Sequence, residues 1–243
     1  MTPDPRRPDA ENALVRDPGC ARCPALVGCR TEIAWGNGPR DAALVVVGEA
    51  PAAGDPDADR WRGGNLTGLA YTSRHSGRRV RTLVAALGLG GRAFYTNAVK
   101  CFPCAGSEAE GEAGVEGPRS SDGADPASAT NREPTDAERA ACRDHLLAEV
   151  RTVAPDAILA TGKHATASLL AAEGRSLDGF LDLVATVLDC PTVGAPVVPA
   201  LHPSYEAVWR SRLGYDAAGY RAALADALRT AGVAGVRGDG AGE

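Results

Sequence analysis

A short apolar run, LVVV at residues 44–47, constrains the fold most, because it stops abruptly at the sequence GEAP. An apolar run of this length that ends in a turn is typical of a strand buried on both faces of a parallel sheet. The residues that follow, up to Gly77, hold too many Gly, Asn, Thr and Ser for a simple connector. Ligands bind just beyond the carboxyl ends of strands in open α/β sheets. Residues 44–77 are therefore the first candidate for an active site.

Further strands and helices alternate along the chain. The strands are predicted at 41–47, 93–99, 157–161 and 196–200, and the helices at 78–88, 135–154, 165–172 and 215–231. Thr135 and Glu138 form a capping-box sequence at the start of the second helix, and Pro155 ends that helix. Residues 173–192 show no clear pattern. This alternation predicts an α/β fold with a parallel sheet.

The length of 243 residues suits one domain with tails better than two full domains. We predict a flexible leader at 1–18, one domain at 19–230 and a flexible tail at 231–243. Residues 105–130 are low in complexity, with six acids and one base, and we predict a disordered acidic insert there. No apolar run approaches the roughly 18 residues of a membrane span, and the N-terminus lacks the apolar core of a signal peptide. A cytoplasmic protein is expected.

The net charge of −5 gives no sign of a basic patch over the whole chain. Residues 60–92 nevertheless carry seven arginines and no acid. An arginine cluster beside the candidate site suits a phosphate backbone, although a solvated helix face would look the same.

Seven cysteines in a chain without a secretory signal make a disulfide framework improbable. Cys20 and Cys23 have the C-x-x-C spacing of a chelating pair. Metal or iron–sulfur ligation is therefore the better interpretation for several of the cysteines.

Polar clusters follow each of the four predicted strands, at 49–65, 97–104, 162–164 and 202–204. These clusters should converge, because the carboxyl ends of parallel strands share one edge. His202 there could stabilise a developing oxyanion or merely cap the next helix. Asn97 offers the donor and acceptor needed to bind an amide–imide edge, or it could hold a loop. Tyr71 suits stacking on a planar base, or it could belong to the core.

Five segments stand out in order along the chain: GEAPAAG at 48–54, GGNLTGLAYTSRHSG at 63–77, TNAVKC at 96–101, NREPTDAERAACRDHL at 131–146 and HPS at 202–204. Together they resemble the iron–sulfur uracil-DNA glycosylases of families 4 and 5. The first resembles the family 4 signature GEAPG and the second a family 5 signature, and the other three are similar to further family segments in the same order.

The resemblance implies a three-layer α/β/α sandwich with a central four-stranded parallel sheet, and excision of uracil from DNA in base excision repair. It implies that residues 48–52 activate water, that Tyr71 stacks on uracil, that Asn97 binds its Watson–Crick edge and that His202 stabilises charge on uracil O2. The residues assigned to substrate binding are Gly48, Ala50, Pro51, Tyr71, Asn97 and Ser204. Those assigned to a structural [4Fe–4S] cluster are Cys20, Cys23, Cys101 and Cys142.

Several alternatives stay open. The water-activating residue is Glu49, Asp55 or Asn65, and we expect Glu49, Asn65 and His202 to be catalytic. Cys104 could replace Cys101 as a ligand, and buried inert thiols are expected at Cys29 and Cys190. We expect a monomer. The other candidate functions are excision of a different deaminated base, such as hypoxanthine or xanthine, and a non-catalytic DNA-binding module that carries the cluster.

Overall fold

A four-stranded parallel sheet forms the centre of the structure, a computed structural model that describes residues 12–105 and 131–238. The strands are β1 (Leu44–Gly48), β2 (Ala93–Asn97), β3 (Ala157–Thr161) and β4 (Val197–Ala200), in the order β2-β1-β3-β4. Every strand residue is buried, as expected when helices cover both faces. All four predicted strands are confirmed, and β3 has the predicted bounds.

Helices cover the two faces of the sheet. The helices of the described residues are α1 (Pro24–Cys29), α2 (Gly64–Thr67), α3 (Ser76–Ala86), α4 (Asp136–Val153), α5 (Lys163–Ala172), α6 (Glu206–Arg212) and α7 (Ala217–Thr230), with a 3-10 helix at Phe180–Leu183. Alternate residues of β1 point to opposite faces: Leu44 and Val46 pack with α3 and α7, whereas Val45 and Val47 pack with α4 and α5. The result is the expected three-layer α/β/α sandwich. Within the described parts of the chain, no helix is long and apolar enough to cross a membrane.

The start of α4 has the predicted capping box. Thr135 Oγ1 accepts a hydrogen bond from the backbone N–H of Glu138, and the Glu138 carboxylate accepts one from the backbone N–H of Thr135 at 2.8 Å. Arg132 holds the same carboxylate with both terminal nitrogens, at 2.6 and 2.8 Å. This arrangement fixes where the chain enters α4.

The acidic insert predicted at 105–130 lies outside the described residues except for its first residue, Ala105. Its two flanks meet: Cys104 and Asn131 pair as an isolated antiparallel bridge, and the Arg132 N–H donates to Pro103 O at 3.0 Å. Of the predicted leader, residues 12–18 are described, and the Leu14 N–H donates to Gly36 O at 2.7 Å.

Residues 231–238, predicted as the start of a flexible tail, pack against the domain. Val233 and Val236 are buried with the residues of α3 and α7. The Arg237 N–H donates to Leu87 O at 2.9 Å.

Cys29 and Cys104 form a disulfide, with their Cα atoms 5.7 Å apart. The prediction that Cys29 is an inert thiol is therefore wrong, although the other five cysteines are free and form no disulfide framework. The two residues are 75 positions apart, so spacing along the chain carried no sign of the pair. Cys190 is a buried free thiol, as predicted.

Candidate active site

A cavity of about 420 Å³ opens at the carboxyl ends of the four strands. Each strand contributes to its lining: Gly48 ends β1, Asn97 ends β2, Thr161 ends β3 and His202 follows β4. The cavity lies where β1 and β3 are neighbours although β2 separates them in sequence. Such a switch in strand order is the usual ligand site of an open α/β sheet. Three of the four predicted polar clusters converge here, those at 49–65, 97–104 and 202–204, whereas residues 162–164 line a neighbouring cavity.

Eight of the nine predicted catalytic and substrate-binding residues line this cavity: Gly48, Glu49, Ala50, Pro51, Tyr71, Asn97, His202 and Ser204. The exception is Asn65, which is 1% exposed and uses its side-chain oxygen to accept from the Thr31 N–H at 2.8 Å. Asp55 is likewise not among the described residues of the lining, and its carboxylate accepts from the Asp57 N–H. Of the three candidates for water activation, Glu49 is the one at the cavity.

Gly48 allows two site residues to approach the backbone of β1. A Cβ atom at this position would lie 2.5 Å from Asn97 Oδ1 and 2.8 Å from the Tyr71 hydroxyl. Real Cβ contacts are longer than this, so any other residue would push the two side chains apart. The glycine in the sequence GEAP is therefore required by packing.

The Asn97 amide is poised for a ligand. The residue is 3% exposed, and its Nδ2 has no hydrogen-bond partner among the described residues. A buried donor without a partner costs free energy. A ligand carbonyl in the cavity would satisfy it.

Tyr71 has a strained backbone that its neighbours hold in place. Its φ is +56°, in the left-handed region that a bulky residue rarely adopts. The Tyr71 carbonyl accepts from Arg81 Nε at 3.0 Å, and the guanidinium of Arg81 lies 3.8 Å from the ring centroid of Tyr95. The Tyr71 and Thr161 hydroxyls share a hydrogen bond of 2.6 Å. These contacts fix the tyrosine ring in the wall of the cavity.

Two of the three predicted catalytic residues, Glu49 and His202, are titratable, and both have shifted pKa values. Burial raises the pKa of the Glu49 carboxyl, partly offset by the charge of His164. Burial, together with the charge of His164, lowers the pKa of His202. His202 Nδ1 accepts from the Ser204 N–H at 3.3 Å, so the neutral ring carries its proton on Nε2. A neutral imidazole of this tautomer can donate from Nε2.

Sequence reasoning missed part of the cavity rim. Asn131, Arg132 and Glu133 line the cavity next to Pro103, although these residues resembled only the entrance to a helix. Glu133 reaches across to α5, where its Oε1 lies 3.0 Å from Nε2 of His164. Residues this far apart in sequence gave no signal of the pairing.

A buried ion pair lies next to the backbone of the lining residue Asn97. Lys100 and Glu149 are 1% and 0% exposed, and their charged atoms are 2.6 Å apart. Lys100 Nζ also donates to Thr96 Oγ1 and to the Asn97 carbonyl, both at 2.6 Å. The other carboxylate oxygen of Glu149 accepts from the Gly36 N–H at 3.0 Å. This network fixes the position of the Asn97 backbone.

The four predicted cluster cysteines line a second, much smaller cavity of about 20 Å³. Burial raises the pKa of Cys23 and Cys101, and raises that of Cys142 to about 11, with neighbouring thiols adding to each shift. Arg30 donates to Cys101 Sγ at 3.2 Å and the Lys100 N–H donates to Cys142 Sγ at 3.3 Å. Such donors stabilise thiolate ligands. Cys104 is held in the disulfide, so its prediction as an alternative ligand is wrong.

His145 also lines the cysteine cavity and was not predicted there. Ligand atoms of Asp17, Cys20 and His145 lie within 4.8 Å of one another. His145 Nε2 is buried and has no partner in the described parts of the chain. The helical position of His145, three residues after Cys142, was the available signal.

Three of the seven arginines of residues 60–92 lie on the surface near the cavity. Arg74, Arg78 and Arg79 are exposed at the start of α3, beside the lining residues His75 and Ser76. Arg81, by contrast, is 6% exposed and holds the backbone of Tyr71.

Comparisons with known proteins give a consistent result. A family model described as the uracil DNA glycosylase superfamily matches residues 35–228. The chain is 29% identical over 192 residues to the type-4 uracil-DNA glycosylase of Thermotoga maritima, covering 76% of this chain and 77% of that protein. It is 28% identical over 252 aligned positions to the type-5 uracil-DNA glycosylase of Pyrobaculum aerophilum, covering 92% of this chain and 91% of that protein.

Proposed function

Since this chain belongs to the uracil DNA glycosylase superfamily, we propose that it hydrolyses the N-glycosidic bond of deoxyuridine in DNA and so initiates base excision repair. Both similar proteins bear the name uracil-DNA glycosylase. We propose further that it acts as a cytoplasmic monomer.

The observation that carries this proposal is that Asn97 lines the cavity and that its buried Nδ2 has no hydrogen-bond partner among the described residues. Uracil presents a carbonyl at C4 and an N–H at N3, which match the donor and the acceptor of one asparagine amide. Cytosine presents the reverse polarity at C4. A base can reach this amide only if it leaves the helical stack, and the cavity of about 420 Å³ is of the size that small-ligand sites have.

In the proposed reaction the C1′–N1 bond breaks and the electron pair leaves with uracil as an anion, while a water oxygen bonds to C1′. His202 donates from Nε2 to uracil O2 and stabilises the developing charge. Glu49 accepts the proton of the attacking water. Tyr71 holds the plane of the base.

The direct test is excision from oligonucleotides that contain uracil, hypoxanthine or xanthine, followed by alkaline cleavage at the abasic site. We expect cleavage with uracil. Product from hypoxanthine or xanthine alone would favour the second candidate substrate, and binding without any product would favour a non-catalytic module.

Asn97→Asp should reduce the preference for uracil over cytosine by at least about 10²-fold, because a carboxylate accepts from the cytosine amino group but cannot donate to uracil O4. Single-turnover rates on matched oligonucleotides measure the ratio. Asn97→Ala is the control: it should slow uracil excision without any gain on cytosine. An unchanged ratio in Asn97→Asp would remove Asn97 from base recognition.

We also propose that Cys20, Cys23, Cys101 and Cys142 hold a [4Fe–4S] cluster. Four thiols around one cavity, two of them with hydrogen-bond donors on sulfur, suit this cofactor. When bound, the cluster would cross-link the N-terminal segment, the loop after β2 and helix α4. We assign it no step in the reaction.

Cys142→Ala should remove most of the bound iron, because it deletes one of the four ligands. Iron and acid-labile sulfide per chain, measured on protein purified without oxygen, give the result. Cys190→Ala is the matched control, since Cys190 is a buried free thiol in another part of the core, and it should keep its iron. Wild-type protein with zinc and no iron would contradict the cluster.

A further inference from the structure

A larger cavity, of about 740 Å³, adjoins the candidate active site, and the two share Glu49, Glu133, His202 and Tyr205. His164 lines this larger cavity at the first turn of α5. It comes two residues after Gly162, which has a φ of +94° and where a Cβ would lie 3.1 Å from Cβ of His202. This turn thus places His164 in the wall of a cavity that Glu49 and His202 also line.

His164 is held in that position by an acid from another part of the chain. Its Nε2 lies 3.0 Å from Oε1 of Glu133, and its side chain is 19% exposed whereas that of Glu133 is 72% exposed. Glu133 belongs to the rim segment that enters α4, so the pair joins α5 to the rim. Because the Glu133 side chain is exposed, this pair adds little stability.

We propose that His164, oriented by Glu133, is a positioning residue for Glu49, whose ionised form it stabilises. This rests on the proposed hydrolysis, in which Glu49 must be ionised to take a proton from water. An ionisable group beside a half-buried carboxyl offsets the cost of burying its charge.

The electrostatics of Glu49 agree with this role. Burial is the largest influence and raises the pKa of Glu49, while His164 and Arg139 lower it and Glu133 raises it. The same imidazole lowers the pKa of His202, which favours the neutral donor form. The charged and titratable groups that share this region with His164 are Glu49, Glu133, Arg139, Lys163, Asp178, Asp182, His202 and Tyr205.

The direction in which His164 moves the pKa of Glu49 predicts how the pH dependence of excision should change. Because His164 lowers the pKa of Glu49, its loss raises that pKa further, and the ionised form disappears at a higher pH. His164→Gln should therefore move the acidic limb of the single-turnover rate to higher pH. The rate should fall roughly three- to tenfold at the acidic end and change little at alkaline pH. His164→Arg, with a permanent positive charge, should restore the wild-type limb.

Lys163→Gln is the matched control, because it removes a positive charge at the adjacent, exposed position. It should leave the acidic limb in place. An unmoved limb in His164→Gln, or an equal movement in Lys163→Gln, would overturn the role of His164. Failure of the proposed function looks different, since the wild-type protein would then release no uracil at any pH.

Discussion

Replacing His202 with alanine should slow uracil excision by a factor on the order of 10²–10³, the usual effect of removing one oxyanion donor. His202 lines the cavity and has its Nδ1 occupied by the Ser204 N–H, which leaves Nε2 as the donor. Burial and the charge of His164 lower its pKa, so the ring should donate as a neutral group over the neutral pH range. The measurement is the single-turnover rate at saturating enzyme.

His202→Gln provides the matched comparison, because its amide can still donate to uracil O2. It should recover part of the lost rate. The wild type, His202→Ala and His202→Gln should all bind uracil-containing DNA with similar affinity. A rate in His202→Ala within a few-fold of wild type would remove His202 from the mechanism.

Lys100→Met should destabilise the fold by about 3–5 kcal/mol, because it leaves the Glu149 carboxylate buried without its cation. Glu149 is fully buried and receives hydrogen bonds from Lys100, Thr96 and the Gly36 N–H. Urea unfolding followed by circular dichroism measures the change. Excision should slow as well, since Lys100 Nζ holds the Asn97 carbonyl.

The double variant Lys100→Met/Glu149→Gln separates the two causes of this loss. A neutral amide can still accept from the Gly36 N–H but no longer buries an unpaired charge, so the double variant should regain more than half of the lost stability. If both variants were equally unstable, lost side-chain packing rather than the unpaired charge would explain the effect.

The fold could be predicted from the sequence because short stretches of residues determine its strands and the start of α4. Each strand is a short apolar run that ends at a glycine or a polar residue, and Thr135 with Glu138 marks the start of α4. The short helices α1, α2 and α6 were missed, since four to seven residues are too few to show a helical period.

The convergence of Gly48, Asn97 and His202 on one cavity could be predicted, because each lies at or just beyond the end of a strand. The sequence could not predict placement at the cavity where it depends on the direction of a side chain. Asn65 stands in a motif, yet the turn of α2 directs it inward to the Thr31 N–H.

Pairs that are distant in sequence were equally hidden. The contact between Glu133 and His164 depends on how the rim segment crosses towards α5, and the Cys29–Cys104 disulfide joins residues 75 positions apart. Neither has a spacing that a single sequence reveals.

Cys104 and Asn131 pair side by side, so the two described ends that flank residues 106–130 meet at the rim of the candidate site. One of these ends is anchored by the disulfide and the other by the Arg132 contact with Glu138. Loop closure costs only about 0.6 kcal/mol for each doubling of length. The number of residues between these anchors can therefore change across evolution, or be changed by an engineer, while the proposed catalytic groups keep their positions.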